Sequence, residues 1–169
     1  NLKGDSLPVS VFKDMDSGIF EGGNSKYEKR GIAEVVPCWV KENCIQCNRC
    51  AFVCPHGVIR PFVLPDVTED GITCINPKGK GYMIGISYKD CTGCGLCVNN
   101  CPGKMGNKAL VMKNYDRNVF KQEVFDKLLA NNINESVNSK IMNVRNIGFI
   151  MPKFEFSGAC GGCGETPYI

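Results

Sequence analysis

The apolar residues between positions 109 and 132 change spacing part-way. Ala109 to Met112 is a short apolar stretch of strand length, whereas Val119, Phe120, Val124, Leu128 and Leu129 follow the 3.6-residue period of a helix. Asn131 and Asn132 stand where that helix should stop. Val58 to Leu64 is another short apolar stretch, and Gly81 to Tyr88 mixes apolar and aromatic residues as a strand does. The intervening Pro55–Asp90 region is rich in Pro, Gly and charge. It is long for a plain connection, which predicts a hairpin insertion or an ordered loop. Asn131 to Lys140 is Asn- and Ser-rich and reads as a linker. The longest candidate for a membrane span, Ile147 to Met151, is only long enough for a strand.

Charge adds little. A net charge of +3, with Lys and Arg scattered along the chain, gives no nucleic-acid patch. No charged-then-apolar secretory leader opens the sequence, and a first residue of Asn points to processing or to a piece of a longer polypeptide.

The cysteines change the picture. There are 12, and eight of them form an internal repeat. Cys44-Ile-Gln-Cys47-Asn-Arg-Cys50-Ala-Phe-Val-Cys54-Pro55 matches Cys91-Thr-Gly-Cys94-Gly-Leu-Cys97-Val-Asn-Asn-Cys101-Pro102 in every cysteine and in the closing proline. A disulfide framework fits this spacing poorly, because neighbours three residues apart in tight runs cannot all pair. Structural zinc prefers two separated Cys-x2-Cys pairs to four cysteines within 11 residues.

An iron–sulfur cubane needs four thiolates. A Cys-x2-Cys-x2-Cys run supplies three from one loop, and in two-cluster ferredoxins the fourth comes from the Cys-Pro position of the other run. One predicted cluster is therefore held by Cys44, Cys47, Cys50 and Cys101, and the other by Cys91, Cys94, Cys97 and Cys54. Gly93 and Gly95 remove side chains where backbone N–H groups should approach sulfur. Ile45, Phe52, Val53, Leu96 and Val98 are candidates to exclude water, and Pro55 and Pro102 to fix the turn after the fourth ligand. Cys38 and Cys74 fall outside both runs and read as inert thiols. His56 reads as a surface or supporting group. Cys160 and Cys163 form a lone Cys-x2-Cys, open to a redox dithiol, half a zinc site or half of a further cluster. The predicted fold is α+β: a bacterial-type 2[4Fe–4S] ferredoxin-like module with an N-terminal arm, an insertion between the motifs and a C-terminal helical linker.

Beyond the cluster loops, the sequence resembles the pyruvate:ferredoxin (flavodoxin) oxidoreductases. The resemblance runs through Tyr27-Glu-Lys-Arg-Gly-Ile-Ala33, Val36-Pro-Cys-Trp39, Glu42-Asn-Cys-Ile-Gln-Cys-Asn48 and Cys54-Pro-His-Gly-Val-Ile-Arg-Pro61. It continues in Asp90-Cys-Thr-Gly-Cys-Gly95 and in Phe154-Glu-Phe-Ser-Gly-Ala-Cys-Gly-Gly-Cys-Gly-Glu-Thr-Pro-Tyr168. It implies an electron relay in an enzyme that oxidatively decarboxylates pyruvate with thiamine diphosphate and Mg2+. Such an enzyme passes acetyl to coenzyme A and single electrons through [4Fe–4S] clusters to ferredoxin or flavodoxin. Cys160 and Cys163 would then be the first two ligands of a third cluster, and Glu165 a residue of the thiamine site. Cys38 stands where the family carries an acidic residue.

The domain boundaries expected on this reading are 1–37 for the arm, 38–114 for the ferredoxin-like domain, 115–153 for helix and linker, and 154–169 for the start of a thiamine-diphosphate domain. The segment alone is expected to transfer electrons without catalysis. The remaining domains of the same enzyme, in a homodimer, are its expected partners, with no nucleic acid and no membrane span. The expected setting is the cytoplasm or a reducing anaerobic organelle such as a hydrogenosome. A free-standing two-cluster carrier and a structural zinc protein are the competing readings.

Overall fold

A computed structural model describes residues 3–15, 17, 29–137 and 141–150. The strands and helices are β1 (Val35–Trp39), α1 (Arg49–Phe52), β2 (Ile59–Leu64), β3 (Ile72–Thr73), β4 (Gly81–Ile86), α2 (Leu96–Asn99), β5 (Leu110–Asn114), α3 (Gln122–Asn131) and α4 (Val144–Ile147). The fold is therefore mixed α and β, with small sheets and short helices.

The sequence repeat becomes a structural one. Each cysteine run leads into one short helix and lies between two strands, β1–α1–β2 in the first half and β4–α2–β5 in the second. The halves interlock by exchanging partners: β1 pairs antiparallel with β5, and β2 pairs antiparallel with β4. β3 adds a third strand on the other side of β4. It lies with β2 and β4 in the stretch between the two motifs.

Strand alternation sorts β4 into two faces. Tyr82, Ile84 and Ile86 join the main core, which also holds Val36, Ile59, Val63 and Leu110. On the opposite face, Met83 packs with Phe62 and Leu64 of β2 against Phe125 and Leu128 of α3. The Phe62 and Phe125 rings meet edge to face at 5.7 Å.

The predicted helix is present and stops at the asparagines, and of the five apolar residues on the expected period Phe120 and Leu128 are buried. Phe125, Leu128 and Gln122 point inward, whereas Val119, Val124 and Leu129 are exposed. Apolar residues occur in two phases of the helical period, and the sheet covers only one of them. The asparagines end the helix by donating to its last carbonyls, Asn131 to Lys127 and Asn132 to Leu129.

The stretch expected to be a linker is packed, at least as far as it is described. Ile133 N–H donates to the Val63 carbonyl at 2.8 Å, and the buried Asn134 carboxamide bridges two segments. Its Oδ1 accepts from Val63 N–H at 2.8 Å, while its Nδ2 donates to the Pro61 and Phe149 carbonyls. These bonds occupy the free edge of β2, which would otherwise expose unpaired backbone. Asn134→Ala leaves the Val63 N–H and two carbonyls without their partner. It is expected to cost about 2 kcal/mol, read from the guanidinium midpoint.

The apolar run at Ile147 is not a strand among the described residues. Ile147 closes α4, and Phe149 turns into the core to meet Tyr82 edge to face at 6.1 Å.

Candidate metal centres

The two cysteine loops share left-handed backbone at two matching positions but carry different side chains there. Gln46 and Asn48 in the first loop have φ of 56° and 58°, and Gly93 and Gly95 at the matching places in the second have 73° and 74°. Glycine adopts this left-handed region freely, and other residues only at a cost. At Gly93 a Cβ would also lie 2.8 Å from the Val35 carbonyl oxygen. Gly93→Ala is therefore expected to lose about 2 kcal/mol in a denaturation experiment.

Gln46 and Asn48 use their side chains to hold other elements. Gln46 Nε2 donates to Thr73 O at 2.7 Å and its Oε1 accepts from Ile75 N–H, pinning the insertion. Asn48 Nδ2 donates to Arg145 O at 2.7 Å, and its Oδ1 accepts from the buried Tyr82 hydroxyl at 2.7 Å.

The second loop is fixed from its base instead. The Asp90 side chain is fully buried, pairs with Lys29 and accepts from Ser87 Oγ at 2.5 Å. Gln122 of α3 donates to that same Ser87 oxygen at 2.9 Å. Gly31 N–H adds a bond to the Lys89 carbonyl, so the residues at 29–31 are tied to the approach to Cys91.

The loops enclose two cavities. Cys44, Cys47, Cys50 and Cys101 line one, closed by Trp39, Tyr82, Ile84 and Leu110. Cys54, Cys91, Cys94 and Cys97 line the other, closed by Pro37, His56, Val58 and Ile59. Each set has three thiols from one motif and one from the other, the grouping expected from the spacing. Cys74 is buried and Cys38 half-buried, and neither lines these cavities. Cys160, Cys163 and Glu165 lie outside the described residues.

The walls differ from those expected. Ile45 and Leu96 line the cavities but stay part-exposed, and Phe52 is 61 % exposed. Water is excluded mainly by strand residues brought in by pairing: Trp39 from β1, Tyr82 and Ile84 from β4, and Ile59 from β2. His56 is buried and lines the second cavity rather than the surface, and burial lowers its pKa while Asp90 partly opposes this.

The donor set suits a multi-atom iron–sulfur group. Among the described residues no three Cys, His, Asp or Glu side chains are placed to hold a single metal ion. The four thiols of each set instead surround a space. Burial first, and neighbouring thiols second, push the Cys97 thiol up to about 12 and raise Cys50 further. Cys44 and Cys91 are also raised, chiefly by burial. Such crowded thiols ionise together only when a cationic group takes their protons' place. Backbone donors already face the sulfurs, with Gly93 N–H 3.4 Å from Cys91 Sγ and Ala109 N–H 3.3 Å from Cys101 Sγ. The buried Trp39 Nε1–H, at the wall of the first cavity, has no hydrogen-bond partner.

A family model described as a 4Fe-4S dicluster domain matches residues 43–105, the span that contains both cavities' cysteines. A second model, a domain of unknown function, matches residues 1–33. The pyruvate:ferredoxin oxidoreductase of Moorella thermoacetica is 44 % identical over 99 % of this chain. Over nearly its whole length the chain is similar to the pyruvate:ferredoxin (flavodoxin) oxidoreductases. A Klebsiella pneumoniae pyruvate-flavodoxin oxidoreductase, also 44 % identical, matches over 98 % of the chain. A mitochondrial pyruvate dehydrogenase (NADP+) of Euglena gracilis is 39 % identical over the whole of it. The chain spans 15 %, 14 % and 10 % of the length of these three relatives. The similarity to these relatives extends beyond the dicluster span into the flanks, among them the residues at 29–31 that grip the base of the second loop.

Proposed function

We propose that this chain binds two [4Fe–4S] clusters and relays single electrons within a pyruvate:ferredoxin (flavodoxin) oxidoreductase. One cluster is held by Cys44, Cys47, Cys50 and Cys101, and the other by Cys91, Cys94, Cys97 and Cys54. The observation that carries this reading is the pair of cavities, each lined by three thiols of one motif and one of the other. When bound, such clusters accept and release one electron at a time at potentials set by burial and by hydrogen bonds to sulfur. The protein's own residues provide the four thiolates, dry walls, and N–H groups aimed at the sulfurs. α1 and α2 pack against each other, and each ends near a cysteine that belongs to the opposite cavity's set. This arrangement holds the two sites at a fixed separation.

The whole enzyme's reaction is the oxidative decarboxylation of pyruvate with coenzyme A to acetyl-CoA and CO2, with ferredoxin or flavodoxin as acceptor. In that enzyme Cys160 and Cys163 contribute to a third cluster, and Glu165 to a thiamine diphosphate and Mg2+ site. The domain limits are those given by the sequence, and the enzyme works as a homodimer in the cytoplasm or a reducing organelle. No helix among the described residues is long and apolar enough to cross a membrane.

Anaerobically isolated chain should contain about eight iron and eight acid-labile sulfide from the two sites. Dithionite reduction should produce an EPR spectrum of two interacting one-electron centres. Zinc in place of iron, with no sulfide, would overturn the cluster reading. The enzyme-level reading is tested in the full-length polypeptide. Loss of flavodoxin reduction with pyruvate and coenzyme A in Cys94→Ala supports it, and unchanged reduction rejects it.

A further inference from the structure

The two cluster sites are built from matching halves, yet their walls are not alike. Trp39 stands five residues before Cys44, and the residue five before Cys91 is Ile86. Both are strand residues, Trp39 facing Leu110 across the β1–β5 pair and Ile86 facing Ile59 across the β2–β4 pair. The first cavity therefore has an aromatic N–H donor in its wall where the equivalent position of the second half has a hydrocarbon.

That donor is buried and has no hydrogen-bond partner. Burying an indole N–H without an acceptor is costly, so its placement calls for one. The acceptors within its surroundings are sulfurs, since Trp39 lines the same cavity as Cys44, Cys47, Cys50 and Cys101. The ring is also held in place. It meets Tyr82 edge to face at 6.2 Å, and the Tyr82 hydroxyl is itself fixed by its bond to Asn48 of the same loop.

We propose that Trp39 is a redox-positioning residue: its indole N–H donates to the sulfur of Cys44 and raises the reduction potential of the first cluster. This deepens the cluster reading and rests on it. Reduction adds negative charge that is shared with the ligand sulfurs, and a hydrogen-bond donor stabilises the reduced state more than the oxidised one.

Trp39 is the single tryptophan of the chain, so indole-15N labelling reports on it alone. In the reduced wild-type chain, pulsed EPR should find 15N coupling on one of the two cluster signals. In Trp39→Phe the midpoint potential of one cluster should shift negative while the other stays, with iron and sulfide content unchanged. Absence of 15N coupling, or two unshifted midpoints in the variant, overturns the proposal. If Trp39→Phe does not fold, the labelled wild-type chain still decides. Absence of iron and sulfide from the wild-type chain would instead reject the cluster reading beneath it.

Discussion

Cys101→Ala is expected to empty the site of the first motif, not the second. Cys101 lies in the second cysteine run, but its thiol lines the cavity of Cys44, Cys47 and Cys50. Cys54→Ala should do the reverse, since Cys54 lines the cavity of Cys91, Cys94 and Cys97. A cubane that loses one of four thiolates from a buried site is lost or rebuilt with fewer irons. Iron and sulfide should therefore fall by up to half, and one of the two reduced EPR signals should vanish. Pairing each variant with a second substitution reveals the crossing. Cys101→Ala combined with Cys47→Ala should be no worse than either alone, because both act on one site. Cys101→Ala combined with Cys94→Ala should remove both clusters. The reverse pattern, with both clusters lost when Cys101→Ala is combined with Cys47→Ala and only one when it is combined with Cys94→Ala, would show that the ligands are not crossed.

Tyr82→Ala is expected to destabilise the protein by roughly 3–5 kcal/mol, the usual range for deleting a fully buried aromatic side chain. Tyr82 is 0 % exposed and touches three structures at once. It packs on Trp39 of β1 and on Phe149 beyond α4, and its hydroxyl donates to Asn48 in the first loop. It also closes the first cavity, so the visible absorbance of the loaded protein should bleach at much lower guanidinium. Tyr82→Phe separates the two contributions. It retains the ring and leaves Asn48 short of one bond, an effect of about 1 kcal/mol. An alanine variant that unfolds and bleaches like wild type would show that this ring does not support the loop.

The parts of the site that were legible in the sequence are those fixed by local spacing. The eight cysteines fall into two sets because three ligands of each lie within seven residues, as with Cys44, Cys47 and Cys50. The strands at Ile59 and Gly81 and the end of α3 were legible for the same reason, since short apolar runs and paired asparagines act over a few residues. Legibility fails where the decisive contact is distant. β1 shows no alternation strong enough to declare itself, and it is a strand because β5 lies opposite, more than 70 residues later. Trp39, Tyr82 and Ile84 become cavity walls only through such pairing. The sequence favoured Phe52 as a wall because it sits inside a motif, and the short helix turns it outward. Asn134 gives no signal at all, since a polar residue in a polar stretch looks like solvent-facing chain until β2 needs an edge partner.

The contrast between Gln46–Asn48 and Gly93–Gly95 bears on how such a duplicated unit diversifies. Two copies began with equal geometric demands, and the second meets them with residues that have no side chain to offer. The first meets them with carboxamides, and each carboxamide holds a piece absent from the other half: the β3 insertion on one, the α4 turn on the other. A chimaera carrying Gly at both first-loop positions would keep a bare loop that could still wrap iron. It would lose the handles by which the later additions are attached. The first copy has thus become the mounting bracket of the molecule, and new segments can be grafted there while the second copy continues unchanged.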